Sequence, residues 1–298
     1  MATYRGDRVP FIFISKNDGR AWMKHKVSHE ASSNWSEWLK VSPPIEGVKV
    51  GSVFQRSNGL LQAFFIENWD SSVRTIWEVY PFLWSQWQLS FGGMNATSVS
   101  SVSVMSLFDG RLQVFVTLYN NTIYTTWKKT TAENSEWVPW RNFTPSGNNH
   151  EIRRIATCLL SDGRVQLFVT TSHNVLTTWK TSIVSTSAWA PWSVFYESTD
   201  DDTISAANLP DGRTQLWRLG SRGQLSSCWK VSTDPNSAWS PWTPFDAPGW
   251  PIAFTVAPLS DDRLQVWVAD QNGAIHTRWK VDTNPNANWT PWQRFPEP

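Results

Sequence analysis

Cysteine is scarce in this chain of 298 residues, which carries only Cys158 and Cys228. Both lie in strand-like apolar stretches with no Cys-x-x-Cys and no Cys/His cluster beside them. A metal site therefore has no support, and the pair reads as two buried free thiols. Long hydrophobic runs are missing too. No segment approaches the roughly 18 apolar residues that a membrane helix requires, and the start, MATYRGDRVPFIFIS, has no run of signal-peptide length. The expectation is a soluble protein without membrane insertion, either cytoplasmic or exported without a recognisable signal. Five N-x-S/T triplets, at Asn34, Asn95, Asn120, Asn142 and Asn288, would accept glycans only if the chain entered a secretory pathway.

An excess of one charge is also lacking. The 26 Lys and Arg balance 25 Asp and Glu, for a formal charge of +1, so no long-range field gathers phosphates and nucleic acid is not an expected partner. There is no G-x-S-x-G, no H-E-x-x-H and no phosphate-cradling glycine loop. No cofactor is implied. The five histidines, His25, His29, His150, His173 and His276, share no register and read as structural or solvated.

Tryptophan is what the chain has in excess, with 22 against only 5 tyrosines. A core of this size does not need so many amphipathic indoles, which suggests that some of them meet a ligand. They recur in phase. The residue before the lysine of TTWK falls at His25, Trp77, Trp127, Trp179, Trp229 and Trp279, about fifty residues apart. A second register, the first Trp of a W-x-x-W pair, falls at Trp35, Trp84, Trp137, Trp189, Trp239 and Trp289. A third, the turn DGR, stands at Asp109, Asp162 and Asp211, with looser forms at Gly6, Asn58 and Asp261.

Each unit reads as four short strands, because Thr, Val, Ile, Phe and Trp dominate and the breaks carry turn residues. In the third unit these are VSSVSVMSL, RLQVFVT, TIYTTWK and EWVPWRNF, with FDG and LYNN as tight links. Helical heptads are missing, and the proline of W-x-P-W sits badly in a helix. The fold expected is all-β: one six-bladed β-propeller over 1–298, built of four-stranded antiparallel blades. Its units run approximately 1–44, 45–93, 94–145, 146–196, 197–246 and 247–298. The first blade is atypical, with its innermost strand short or missing, Pro10 in place of the repeated Gln, and His25 in place of Trp. How the ring closes is left open, since the chain stops straight after a fourth strand. The Gln repeated at Gln62, Gln113, Gln166, Gln215 and Gln265 reads first as a hydrogen-bonding tie, with ligand contact as the alternative.

A repeat tends to present one weak site several times, whereas catalysis needs an asymmetric constellation. The turn aspartates, Asp261 included, read as backbone caps. Glu78 is a lone acid where other units have lysine, and the acidic run ending at Asp202 reads as a solvated loop. What remains is aromatic and polar surface around a ring. Sugars stack their C–H faces on indoles and need directional partners for their hydroxyls. The candidate carbohydrate-binding residues are Trp127, Trp179, Trp229 and Trp279, the W-x-x-W residues Trp137, Trp189, Trp239 and Trp289, and the adjacent hydroxyls Thr126 and Thr178. On an extended strand the two indoles of W-x-x-W would project to opposite faces, one packing between blades and one outward. For any single Trp, blade packing is the plainer reading.

The repeated DGRLQVF, TIYTTWK and SEWVPW of the third unit, and DGRVQLF, VLTTWK and SAWAPW of the fourth, resemble the bacterial propeller lectins of the Photorhabdus type, related in style to the tectonins. The resemblance implies shallow pockets between adjacent blades that bind fucose or related monosaccharides, with a Trp stacking on the sugar. Carried onto this chain it nominates Trp127, Trp179, Trp229 and Trp279, with the W-x-x-W residues as the competing choice. Two departures stand out, six repeats where those lectins have seven, and a degraded first pair of units. The expected function is a multivalent, non-catalytic lectin whose partners are glycans or glycoconjugates, with homo-oligomerisation open. The alternatives are an enzyme with one active site at the central channel or top face, and a protein-interaction platform.

Overall fold

The computed structural model describes residues 1–16, 19–30, 32–41, 47–68, 70–89, 98–147, 150–197, 202–284 and 286–297. Asn95 and residues 198–201 of the acidic run lie outside them. The chain forms six antiparallel sheets in sequence order, a six-bladed propeller. Blade one holds β1 (Ala2–Tyr4), β2 (Pro10–Ser15), β3 (Ala21–His25) and β4 (Leu39–Lys40). Blade two holds β5 (Val48–Gln55), β6 (Leu61–Glu67), β7 (Val73–Tyr80), β8 (Leu83–Trp84) and β9 (Gln88–Leu89). Blade three holds β10 (Val99–Ser106), β11 (Leu112–Leu118), β12 (Ile123–Trp127) and β13 (Arg141–Asn142). Blade four holds β14 (Ile152–Leu159), β15 (Val165–Thr171), β16 (Asn174–Trp179) and β17 (Ser193–Glu197). Blade five holds β18 (Thr203–Asn208), β19 (Thr214–Leu219), β20 (Leu225–Trp229) and β21 (Thr243–Pro244). Blade six holds β22 (Pro251–Pro258), β23 (Leu264–Asp270), β24 (Ile275–Trp279) and β25 (Gln293–Phe295).

The turn chemistry works as its residues dictate. Gly110 takes φ 81° in the link between β10 and β11, and Asn121 takes φ 65° between β11 and β12, a conformation that Asn tolerates better than most residues. Asp109 Oδ1 accepts the Arg111 amide at 3.2 Å, and Leu107 N bonds Arg111 O at 2.7 Å to close the hairpin. Neighbouring blades approach closely where the inner strand carries a glycine. A Cβ on Gly51 of β5 would stand 2.0 Å from Val102 Cγ1 of β10, so a side chain at Gly51 would force the two blades apart.

Second strands are buried on both faces, since each blade is covered by its neighbours. In β11, Leu112, Val114 and Val116 pack toward blade two with Phe64 and Ile66, while Phe115 packs toward blade four with Ile155 and Leu167. Among the described residues the core divides into six apolar clusters, one at each seam. Phe-to-Ala changes in such a core cost about 3–5 kcal/mol each.

The W-x-x-W pairs differ from the alternating-face expectation. Trp189 and Trp192 of blade four both meet Phe143 of blade three, at 4.9 and 5.6 Å between ring centroids. Trp289 and Trp292 both meet Phe245 of blade five, at 5.0 and 6.0 Å. The reason is local backbone. The first Trp makes only an isolated bridge, Lys180↔Trp189 or Lys280↔Trp289, and the Pro-containing step after it lies outside any strand, so two-residue alternation does not apply. The fourth strand expected over EWVPWRNF is correspondingly only β13.

The ring closes without a shared sheet. Innermost strand β1 is present but only three residues long, and its Ala2 amide donates to Thr255 Oγ1 of blade six at 3.0 Å. Trp35 and Trp38 of blade one seat on Phe295 of blade six at 5.2 and 6.1 Å, the same contact made at the other seams. Arg8 pairs with Asp262 at 2.7 Å, and Trp38 Nε1 donates to Pro296 O at 2.9 Å. Register also corrects the reading of Pro10. His25 pairs with Phe11, as Trp127 pairs with Gln113, so Phe11 holds the glutamine position.

Candidate functional site

Five of the six seams share the same pair, a Gln facing a Trp across adjacent strands, and strand alternation fixes which side chains face the seam. In β23, Gln265 and Trp267 point to the seam with blade one, and Trp279 of β24 lies directly across from Gln265. Arg263, two residues before Gln265, borders the same space. Blade one contributes Lys26 and Trp35 with the loop around Asn34. Between them lies a cleft of about 880 Å³, open to solvent and ample for a saccharide.

Arg263 is held on two sides in the cleft wall. Asp261 Oδ2 accepts Arg263 Nε at 2.7 Å, and Arg263 Nη1 donates to Lys280 O at 3.3 Å. Arg164 and Arg213 repeat the arrangement on Asp162 and Asp211, with Nη1 on Lys180 O and Lys230 O at 3.4 and 3.2 Å. Among the described residues, no hydrogen bond engages Nη2 of Arg164, Arg213 or Arg263, and Arg263 lines the cleft with that donor uncommitted. Arg111 differs, because its Nη2 reaches Ser185 Oγ of blade four.

The lysine after Trp127, Trp179 and Trp229 is a loop clamp rather than a surface cation, Lys128 Nζ donating to Glu133 O at 2.9 Å. Lys230 Nζ donates to Pro235 O and Ser237 O at 2.9 Å each, and Lys180 Nζ to Ser185 O at 2.8 Å. The same ammonium groups stand over the first indole of their own W-x-x-W, at 5.0 Å for Lys180 on Trp189 and 5.1 Å for Lys230 on Trp239. Burial lowers the pKa of Lys26, Lys128, Lys180, Lys230 and Lys280, and takes Lys128 down to about 8, with Arg56 adding to the effect and Glu133 opposing it.

The candidate residues separate into three groups. Trp127, Trp179, Trp229 and Trp279 are half-buried at the seam, able to offer part of an indole face. Trp127 carries the Arg141 guanidinium 5.0 Å from its ring centroid. Trp137, Trp189, Trp239 and Trp289 are half-buried too, but the last three are edge-packed on the preceding blade's core, Trp189 on Phe115, Trp239 on Phe168 and Trp289 on Trp217, each at 5.8 Å. Trp137 joins the corresponding cluster at the seam of blades two and three. Thr126 and Thr178 are fully buried, and their hydroxyls donate to Val138 O and Ala190 O at 2.6 Å. That corrects their expected role as direct sugar contacts. They hold the third strand to the W-x-x-W segment, because their alternation in the strand turns them away from the Trp side.

The arginines of DGR escaped the sequence reading, which took the turn only for its aspartate. Their recurrence at Arg111, Arg164, Arg213 and Arg263, two residues before Gln on a strand, was the available signal.

The seam of blades one and two is built differently. His25 stands where the other seams have Trp, and Phe82 covers it at 4.3 Å between ring centroids. The Arg5 guanidinium lies 4.2 Å from the centroid of the same Phe82 ring. Glu78, fully buried, accepts the amides of Leu61 and Phe82 at 3.0 Å each and stands 3.5 Å from Arg5 Nη1. The lone acid is thus a structural anchor that pins the shortened loop of blade two. Cys158 and Cys228 are free and buried, both pushed up to about 12 chiefly by burial. Asp202 is buried beside Arg218, at 3.7 Å, and is not part of a solvated loop surface.

No protein-family model and no curated protein sequence matches the chain. Solved structures do match in fold. The BP39L lectin from Burkholderia pseudomallei aligns with a TM-score of 0.68 at 14% identity, over 99% of this chain and 83% of the lectin. SapL1 lectin in complex with alpha methyl fucoside aligns with a TM-score of 0.65 at 14% identity, over 97% and 92%. A mutant of Aleuria aurantia lectin in complex with alpha-methyl-L-fucoside aligns with a TM-score of 0.64 at 10% identity, over 99% and 93%. At these identities the likeness is one of fold.

Proposed function

We propose that this chain is a non-catalytic lectin that binds monosaccharides of the fucose class at its blade seams, each sugar stacking on the Trp before the buried lysine. The observation that carries the reading is the cleft of blades six and one, where Trp279, Arg263 and Gln265 converge on a space of about 880 Å³. An indole face for C–H groups, a fixed guanidinium donor and an amide are the complement a pyranose needs. Among the described residues the cleft wall carries one carboxylate, Glu30, short of the facing pair that glycoside hydrolysis uses, and Asp261 behind Arg263 is engaged by that guanidinium. Lectins in complex with fucosides adopt this fold, which supports fucose as the first sugar to try.

The finer kinship with the Photorhabdus-type lectins belongs to the same proposal and rests on the repeated DGRLQVF, TTWK and W-x-x-W phrases. So does multivalency. Several weak sites on one ring gain avidity on a glycan-coated surface that no single site has. The single 1–298 domain would then act as one multivalent body whose partners are glycoconjugates. A glycan array read at several surface densities tests this. Binding to fucosylated glycans that steepens with density supports it, and a blank array overturns it.

A further inference from the structure

We propose that Gln265 Oε1 is the specificity-determining acceptor of the seam between blades six and one, taking the proton of one hydroxyl of the bound saccharide while Arg263 donates to the adjacent one. The inference rests on the lectin reading and names what that site selects.

The amide's orientation is fixed by its neighbour. Thr277 Oγ1 donates to Val266 O at 2.8 Å, which spends its only proton. Its oxygen then accepts from Gln265 Nε2, at 2.8 Å. A flipped amide would set two acceptors against each other, so Oε1 must point away from Thr277. The relay recurs as Gln62 on Thr75, Gln113 on Thr125 and Gln166 on Thr177, whose hydroxyls donate to Ala63 O, Val114 O and Leu167 O. Gln215 makes the corresponding bond to Ser227 at 3.1 Å.

The consequence is a repeated orphan. Gln62, Gln113, Gln166 and Gln215 are 2%, 3%, 4% and 5% exposed, and the Oε1 of each is buried without a hydrogen-bond partner. A buried amide oxygen left unpaired is costly, and native interiors hold few of them. At those four seams the oxygen is sealed from solvent and no ligand reaches it; Gln265 Oε1 is not among these sealed oxygens. In blade six the same amide, 3% exposed, forms part of the cleft wall beside Trp279 and Arg263, and among the described residues no bond is made to its oxygen. That is where a donor from outside the chain reaches it.

The chemistry of the donor follows. Oε1 can only accept, and the flanking Arg263 and Lys26 repel a cation. Under the lectin reading the partner is a hydroxyl of the sugar. A second hydroxyl within reach of Arg263, and an apolar face against Trp279, describe adjacent hydroxyls on a pyranose ring. A site built to pair with a hydroxyl discriminates strongly against the analogue that lacks it.

The test combines a protein arm and a ligand arm. The full chain and its Gln265→Met variant are titrated with methyl α-L-fucoside and its three monodeoxy analogues, with thermal melting as the folding control. The proposal expects the variant to lose about ten- to a hundredfold in affinity at one site. It also expects one deoxy analogue to bind the wild type weakly and the variant no worse than the parent sugar does. A variant that keeps both affinity and discrimination overturns it. If the variant does not fold, the wild-type crystal soaked with the sugar decides. A sugar oxygen within about 3.2 Å of Gln265 Oε1 supports the proposal, and an ordered water there with the sugar elsewhere overturns it. Failure of the lectin reading looks different, because the wild type would then bind neither the parent sugar nor any analogue.

Discussion

Phe82 lies against His25 with ring centroids 4.3 Å apart, and Arg5 closes over the same Phe ring at 4.2 Å. Phe82 holds a left-handed backbone at φ 66°, a strained conformation for a bulky residue, and its amide is capped by the buried Glu78. The chain thus fills the first seam with its own side chain. Phe11, in the glutamine register, offers no acceptor there either.

The first prediction concerns valency. Binding stoichiometry should not exceed five per chain, since five of the six seams keep Trp and Gln. Phe82→Ala should lower stability by about 1–2 kcal/mol, less than a fully buried Phe because the ring is 42% exposed, without adding a site. Calorimetric titration of both proteins checks this. A sixth site in the wild type contradicts the description of this seam.

A second prediction uses pH. Lys128 titrates near 8 in the folded chain against 10.5 for an ordinary lysine, because burial disfavours its charge. Between those values the unfolded chain binds more protons than the folded one, so stability rises with pH through that window. Below about pH 8 both states are charged and the burial penalty is constant. The rise should be smaller in Lys128→Met, as read by urea unfolding across about pH 8 to 10. An identical rise in the variant would mean that Lys128 is not a source of it.

The cysteines give a third. Burial raises both thiols to about 12, so neither forms thiolate near neutral pH. A thiol reagent at about pH 8 should label neither in the native chain and both in denaturant. Fast native labelling of Cys158 would contradict its burial between blades four and five.

The architecture was legible in the sequence because one phrase recurs six times and each part of it has a fixed structural duty. DGR must turn, strand two must be apolar on both faces, and each W-x-x-W must cover a neighbour. What escaped was anything requiring two units to be seen together. Phe143 lies nearly fifty residues from Trp189, and Trp35 meets Phe295 from opposite ends of the chain, so no local pattern shows that both indoles of a pair face one way. Closure without a shared sheet was hidden for the same reason. Thr126 and Thr178 misled because adjacency to a Trp in a strand places a residue on the other face. The Gln tie was readable as a buried amide needing a partner, but its unpaired oxygen becomes visible only with the Thr hydroxyl's own bond.

The most direct measurement is a tryptophan-fluorescence titration of the wild-type chain and Trp279→Ala with methyl α-L-fucoside, accompanied by melting curves. The account predicts saturable binding by the wild type, and loss of the site between blades six and one in the variant at little cost in melting temperature. A wild type that does not respond to the sugar, or a variant that binds it with unchanged affinity and stoichiometry, would contradict it.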